Sequence, residues 1–204
     1  MPLQRVFRAA LWRIAETVGR AAARFGMNFY QRTDDRRILE TIILPYFSEA
    51  IDRQKILFVG CDWYTRGYRR FFLYKDYWTL DVDPRKRKYG SDRHITDSVA
   101  HVGRHFPPGA LDLIVCNGVI GWGLNDRQEI ETAFRECHRC LRPGGIFLLG
   151  WNDVPEHRPL APADSESLRL FDPHAFPPLG VSRLLTDNPN RHTYNFYAKR
   201  RGPE

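Results

Sequence analysis

The clearest hydrophobic pattern in the chain is an apolar run, a helical stripe, a breaker and a second apolar run, in that order. Leu111 to Cys116 is a nearly continuous run of branched apolar residues, as expected of a strand buried on both faces of a parallel sheet. Asn125 and Asp126 are suitable N-cap residues, and Ile130, Ala133, Phe134, Cys137 and Leu141 then recur at helical spacing. Arg142-Pro143-Gly144-Gly145 stops the helix, with a proline that cannot continue it and glycines free to take positive φ. Ile146 to Leu149 resumes as a second buried strand. The unit is a βαβ crossover, and it predicts a doubly wound, mostly parallel α/β sheet.

The same reading extends in both directions. Lys55 to Val59, residues 77–84 and Arg93 to Thr96 read as three earlier strands, and a helix is expected around Arg36 to Phe47. Residues 181–199 read as a closing antiparallel hairpin around Asp187-Asn188-Pro189-Asn190. At the start, Leu3, Val6, Phe7, Ala10, Leu11, Ile14, Val18, Ala22 and Phe25 form the stripe of an amphipathic helix that ends near Gly26. Two readings of it stand: a helix packed on the domain, or a peripheral membrane or partner contact through residues 3–25. The expected organisation is a helical extension over 1–50 and a sheet domain over 51–204.

Charge and composition narrow the classes. The chain has 204 residues and a formal net charge of +7. Residues 1–37 hold eight Arg against Glu16, Asp34 and Asp35, so +5 of that charge sits there and the rest is close to neutral. This does not indicate a nucleic-acid-binding surface across the fold. No apolar run reaches the roughly 20 residues that cross a bilayer and no signal peptide is apparent, so a cytoplasmic location is expected. Cys137 and Cys140 form a C-x-x-C with no second pair, and Cys61 and Cys116 suit buried thiols near strand tips; neither a metal nor a disulfide framework is expected.

Candidate chemistry collects at the carboxyl ends of the strands, where open α/β sheets bind ligands. Gly60 directly follows the first strand and permits a tight turn and close ligand approach. Asp81 ends the second strand about 20 residues later, where a carboxylate can accept both hydroxyl protons of a ribose. Asp81 and Asp97 also suit helix capping. Trp122, Trp151 and Asn152 follow strands four and five and are candidates to line a substrate pocket, or equally core aromatics and a cap. The Pro- and acid-rich segment 154–180 suits a substrate-facing lid or a cover for the sheet.

From Lys55 to Trp151 the chain resembles the class I S-adenosylmethionine-dependent methyltransferases. The resemblance rests on five blocks in order: VGC after strand one, LDVDP, TDS, LDLIVCNGV and CLRPGGIFLL. It implies S-adenosyl-L-methionine as cofactor and methyl transfer to a small-molecule acceptor. It also implies that Gly60 and Asp62 lie along the methionine part, that Asp81 holds the ribose, that Asp97 and Ser98 meet the adenine, and that Asn117 faces cofactor and substrate. The chain departs from the family's DVGCGTG loop with FVGCDWY: Phe58 replaces an acid, and Asp62 and Tyr64 replace glycines. Asp62 could repel the cofactor's carboxylate or accept from its ammonium group. After strand four, Gly118 to Gly123 offers no general base. The alternative implied by that loop is a methyltransferase-like protein that works through partner contacts without catalysis.

Overall fold

In the computed structural model the described residues are 17–19, 21 and 33–201. Of the N-terminal stripe only Val18 lies among them; Thr17–Gly19 and Ala21 are helical. The strands are β1 (Lys55–Val59), β2 (Asp76–Asp81), β3 (Arg93–Thr96), β4 (Leu111–Asn117), β5 (Leu141–Asn152), β6 (Phe171–Pro173), β7 (Arg183–Leu185) and β8 (His192–Lys199). Their order is β3-β2-β1-β4-β5-β8-β6, with β7 also paired to β8. The first five are parallel, and β8 runs antiparallel between β5 and the broken edge formed by β6 and β7.

The helix before the sheet starts earlier and ends later than expected. It runs as α1 (Asp34–Ile38), a π-helical stretch (Leu39–Ile43) and α2 (Leu44–Glu49). Its residues Leu39, Ile43, Leu44 and Phe47 share one apolar cluster with Ile56, Phe58, Leu113, Leu148 and Phe196. The boundary expected at residue 50 therefore falls between elements with a common core. The opposite face packs Leu57, Val59, Ile114, Phe147 and Leu149 on α3 (Arg127–Cys140). Each such fully buried side chain contributes roughly 1.5–3 kcal/mol of apolar transfer.

The crossover α3 begins where Asp126 accepts from Glu129 N at 2.9 Å. Leu141 does not close its stripe: it leaves with extended backbone, opens β5 and pairs with Leu111 across a register shift. The other crossovers are short 3-10 turns over Arg66–Phe72, Pro84–Tyr89 and Val99–Arg104. Side-chain caps start the last two, Asp83 accepting from Arg85 N and Ser98 from Ala100 N.

Segment 154–180 is a cover. Glu131 of α3 accepts from Ser165 Oγ at 2.9 Å, Glu166 N at 3.0 Å and Ser167 N at 2.8 Å, pinning it to the helix. Phe171 and Phe176 enter the two apolar clusters on opposite faces of the sheet. All four cysteines are free and buried, no cluster of His, Cys, Asp or Glu among the described residues could hold a metal ion, and none of their helices is long and apolar enough to cross a membrane.

Candidate functional site

A cavity of about 600 Å³ opens at the carboxyl ends of β1, β2, β4 and β5, within the range of small-molecule sites. Gly60 forms its floor with φ +94, and a Cβ there would lie 2.8 Å from Asn117 O and 2.9 Å from Val119 Cγ2. Only glycine fits both the conformation and the space. Asp81 braces the turn: one carboxylate oxygen accepts from Cys61 N at 2.7 Å and the other from Asp83 N at 2.9 Å. Two accepted bonds leave about half of a carboxylate's lone-pair positions for a ligand. Beside it Val82 is 58% exposed and lines the cavity.

The altered loop after Gly60 has its own compensation. Asp62 accepts from Trp63 N at 2.7 Å and pairs with Lys86, which comes from the turn after β2. Trp63 is buried, and a Cβ on Gly19 would meet its indole at 2.3 Å, so the helical segment holding Gly19 lies directly on this loop. Tyr64 carries the Arg36 guanidinium over its ring at 4.2 Å. Arg36 also donates to Tyr68 Oη at 3.1 Å, and Tyr68 donates in turn to Glu40 at 2.8 Å. Burial alone would push the Arg36 pKa down, but Tyr68, Tyr64, Tyr194 and Asp35 hold it above its ordinary value, so the guanidinium stays charged at the cavity wall. Phe58, where the family pattern has an acid, packs edge-on against Tyr68 at 5.4 Å.

The turn between β7 and β8 is fastened to α1. Asn188 Nδ2 donates to Asp35 Oδ1 at 2.6 Å, Asp187 N to Asp34 Oδ2 at 3.1 Å, and Tyr194 Oη to Asp35 O at 3.0 Å. Thr33, Asp35 and Arg36 thus join the cavity wall, and the buried Thr33 Oγ1 has no hydrogen-bond partner among the described residues. None of these three is marked by a motif, because only the tertiary fold brings α1 over the strand tips.

Asp97 and Ser98 line the far end. Asp97 is gripped by His101 Nδ1 and His105 Nε2, each at 2.8 Å, and accepts from Ser98 N at 2.8 Å. Burial would raise its pKa; these partners outweigh that and bring it down to about 2. Ser98 Oγ donates to Glu129 at 2.8 Å. At the near end Asn117, Asn152 and His192 meet: His192 Nδ1 lies 2.7 Å from Asn152 Oδ1, and Nε2 lies 3.1 Å from Asn117 Oδ1. Burial lowers the His192 pKa to about 4, so its ring is neutral near pH 7.

Of the expected pocket residues, Asn152 and Trp122 line the cavity and Trp151 does not. Strand alternation turns Trp151 to the face opposite Asn152, into the apolar cluster, where its Nε1 donates to Asn195 Oδ1 at 2.9 Å. Trp122 stands 59% exposed at the rim, stacked on His157 at 4.1 Å and 19°. No residue of 154–180 lines the cavity; His157 of that segment supports the rim, stacking on Trp122 and bringing Nδ1 to 3.3 Å from Gly121 O.

Comparison with known proteins agrees with the geometry. Residues 57–149 match the family model described as a methyltransferase domain. Among solved structures the chain is similar to the N-methyltransferase NodS of Bradyrhizobium japonicum in complex with S-adenosyl-L-homocysteine, at 14% identity and TM-score 0.59, covering 91% of this chain and 98% of that one. It is also similar to a TehB-like S-adenosylmethionine-dependent methyltransferase of Corynebacterium glutamicum, at 17% identity and TM-score 0.56, covering 98% and 100%. A third similar structure is the PH0226 protein of Pyrococcus horikoshii, at 16% identity and TM-score 0.57, covering 81% and 91%. A comparison with curated proteins found no match. The match to a methyltransferase-domain model lies over β1 to β5, and the fold is that of the similar structures.

Proposed function

We propose that the protein is a methyltransferase that uses S-adenosyl-L-methionine and acts on a small-molecule acceptor. The observation that carries this reading is the coupling of Gly60 to Asp81: a backbone cradle that no side chain could enter lies beside a carboxylate held 2.7 Å from Cys61 N with acceptor capacity to spare. The residues fit the cofactor along its length. Asp81 would accept from the ribose hydroxyls and Val82 would cover one face of the adenine. Arg36 and Thr33, on the cavity wall, would meet the carboxylate of the amino-acid end. Asp62, already paired with Lys86, stands as an acceptor for the ammonium group.

When bound, the cofactor supplies a methyl group on a positively charged sulfur, and the chain's part is to align an acceptor and exclude water. Trp122, held by His157, provides a rigid aromatic edge on which an acceptor can rest at the mouth. Calorimetric titration of the intact protein with S-adenosylhomocysteine tests the reading. One-to-one saturable binding is expected, and absence of binding at millimolar ligand would remove it.

A further inference from the structure

The end of the sheet opposite the mouth leaves three large apolar side chains open to solvent. A turn over residues 50–53 joins α2 to β1, and a second turn after Phe72 leads into β2. Lys75 locks the two turns together, its ammonium donating to Ala50 O at 2.6 Å and to Arg53 O at 2.8 Å. At their tips stand Ile51, Leu73 and Tyr74, which are 87%, 69% and 96% exposed. Single exposed apolar residues are ordinary on a protein surface, whereas three on two clamped turns form a patch.

The same end is basic and has a cavity of its own. About 250 Å³ in volume, it is lined by Arg53, Asp172, His174, Lys199, Arg200 and Arg201. Arg142 ties its rim to the first turn by donating to Asp52 O at 2.8 Å, and a Cβ on Gly144 would lie 3.1 Å from Arg201 Nε. Asp172 is the acid on its lining and is engaged by Arg200 at 2.8 Å. Arg53 Nη1 is buried and, although 2.8 Å from Asp52 Oδ2, is not aligned to donate to it. Burial and the Arg53 charge hold the His174 pKa below its ordinary value, so that ring is neutral near pH 7.

The surrounding charge has one sign in excess. Residues 49–55, 69–76, 112, 142–144, 172–174 and 199–201 hold nine Lys and Arg against Glu49, Asp52, Asp76, Asp112 and Asp172. Arg69 and Arg70 stand exposed on the 3-10 turn that leads to Leu73. Among the described residues no acid pairs with Arg69 or Arg201. A stable protein interface takes roughly 20–30 residues a side around an apolar centre, which three turn-tip side chains ringed by cations do not supply. An anionic bilayer matches both parts, because apolar tips enter the boundary between headgroups and acyl chains while Lys and Arg remain with the phosphates. Tyrosine, apolar in body and polar at its tip, suits that boundary.

We propose that the amino end of the sheet docks on an anionic phospholipid bilayer, with Ile51, Leu73 and Tyr74 entering the acyl boundary and a lipid phosphate seated in the cavity between Arg53 and Arg201. Parallel strands put the cavity at their carboxyl ends on the far side, so its mouth faces water in the docked protein. The surface is separate from any contact through the N-terminal stripe, since Gly19 lies against Trp63 at the mouth end. The inference does not depend on the cofactor reading.

Flotation of the intact protein with vesicles tests it, using equimolar phosphatidylglycerol and phosphatidylcholine in one arm and phosphatidylcholine alone in the other. Binding to the anionic vesicles is expected, and binding to the neutral ones should be weaker by roughly tenfold or more. Leu73→Ser combined with Tyr74→Ser should weaken anionic binding by roughly tenfold or more, and Arg201→Gln by about fivefold, with thermal melts unchanged because these side chains are exposed. Tyr74→Trp should add fluorescence that lipids brominated in their acyl chains quench, which a purely electrostatic contact would not show. Equal binding to both kinds of vesicle, binding unchanged in the Leu73 and Tyr74 double variant, or no added quenching in Tyr74→Trp overturns the proposal. So does an unaltered protein that ignores vesicles but gains thermal stability from inorganic phosphate through Arg201, which would make the cavity a site for a free anion. A dimer in sedimentation that the double variant dissociates would assign the patch to a second copy of the chain and equally overturn it.

Discussion

Replacing Asp81 by alanine separates two jobs that one carboxylate performs. The structural job is to accept from Cys61 N at 2.7 Å and Asp83 N at 2.9 Å, which holds the loop after β1 against the turn after β2. Losing a buried partner costs about 1–3 kcal/mol per donor, and water reaches part of this half-buried site, so we expect a loss of about 2 kcal/mol overall. For a domain of this size that is a fall in Tm of about 4–8 °C. The binding job is to accept from two ribose hydroxyls. Hydrogen bonds to a charged group contribute about 1.5–3 kcal/mol, so affinity for S-adenosylhomocysteine should fall by roughly 10- to 150-fold. Asp81→Asn keeps the shape and one acceptor oxygen and should fall between the two. Calorimetry at a temperature well below either Tm measures the affinity, and a thermal melt measures the stability. If Asp81→Ala loses the expected stability but binds with unchanged affinity, Asp81 is a brace alone and the ribose assignment is wrong.

Other expectations follow from the same geometry. Arg36→Met should weaken S-adenosylhomocysteine at least tenfold and leave 5′-methylthioadenosine, which lacks the carboxylate, close to its original affinity; equal losses for both would mean that Arg36 only shapes the wall. His192 has a folded-state pKa of about 4 against about 6.5 in the unfolded chain, so the unfolded state takes up the proton first as pH falls. Stability from this group is therefore complete above pH 6.5 and declines toward pH 4, by about 3 kcal/mol. Denaturant titrations at several pH values should show a shallower acid loss in His192→Gln, and identical slopes would contradict the buried neutral ring. Glu131→Ala should cost about 2–4 kcal/mol, because Ser165 Oγ and the Glu166 and Ser167 N–H groups lose their acceptor. A thermal melt within 2 °C of the unaltered protein would refute that anchoring.

How far the sequence could be read depended on the range of the interactions involved. Strands β1 and β3 run over the residues that periodicity assigns, and Asp126 caps α3 as its side chain and spacing suggest, because these features are local. Leu141 was ambiguous by nature: an apolar residue before a breaker suits the end of a helix or the start of a strand, and pairing with Leu111 decides for the strand. The strand β6 escaped because Phe171–Pro173 is three residues long and too short for any alternation. Trp151 and Asn152 are adjacent pocket candidates in the sequence, but a period of two sends neighbours to opposite faces because β5 extends through both. The FVGCDWY loop looked unfavourable in isolation. Its answer lies in Lys86 and Arg36, which are 24 and 26 positions from Asp62 and could be placed beside the loop only by the fold. His192 had no visible partner for the same reason, since Asn117 and Asn152 are 75 and 40 residues away.

The most direct measurement is a crystal structure of the intact protein grown with S-adenosylhomocysteine. The account predicts the ligand in the cavity at the strand tips, with its ribose hydroxyls on Asp81, its adenine against Val82 and its carboxylate toward Arg36. Density for the ligand outside this cavity, or an empty cavity at saturating concentration, would contradict it.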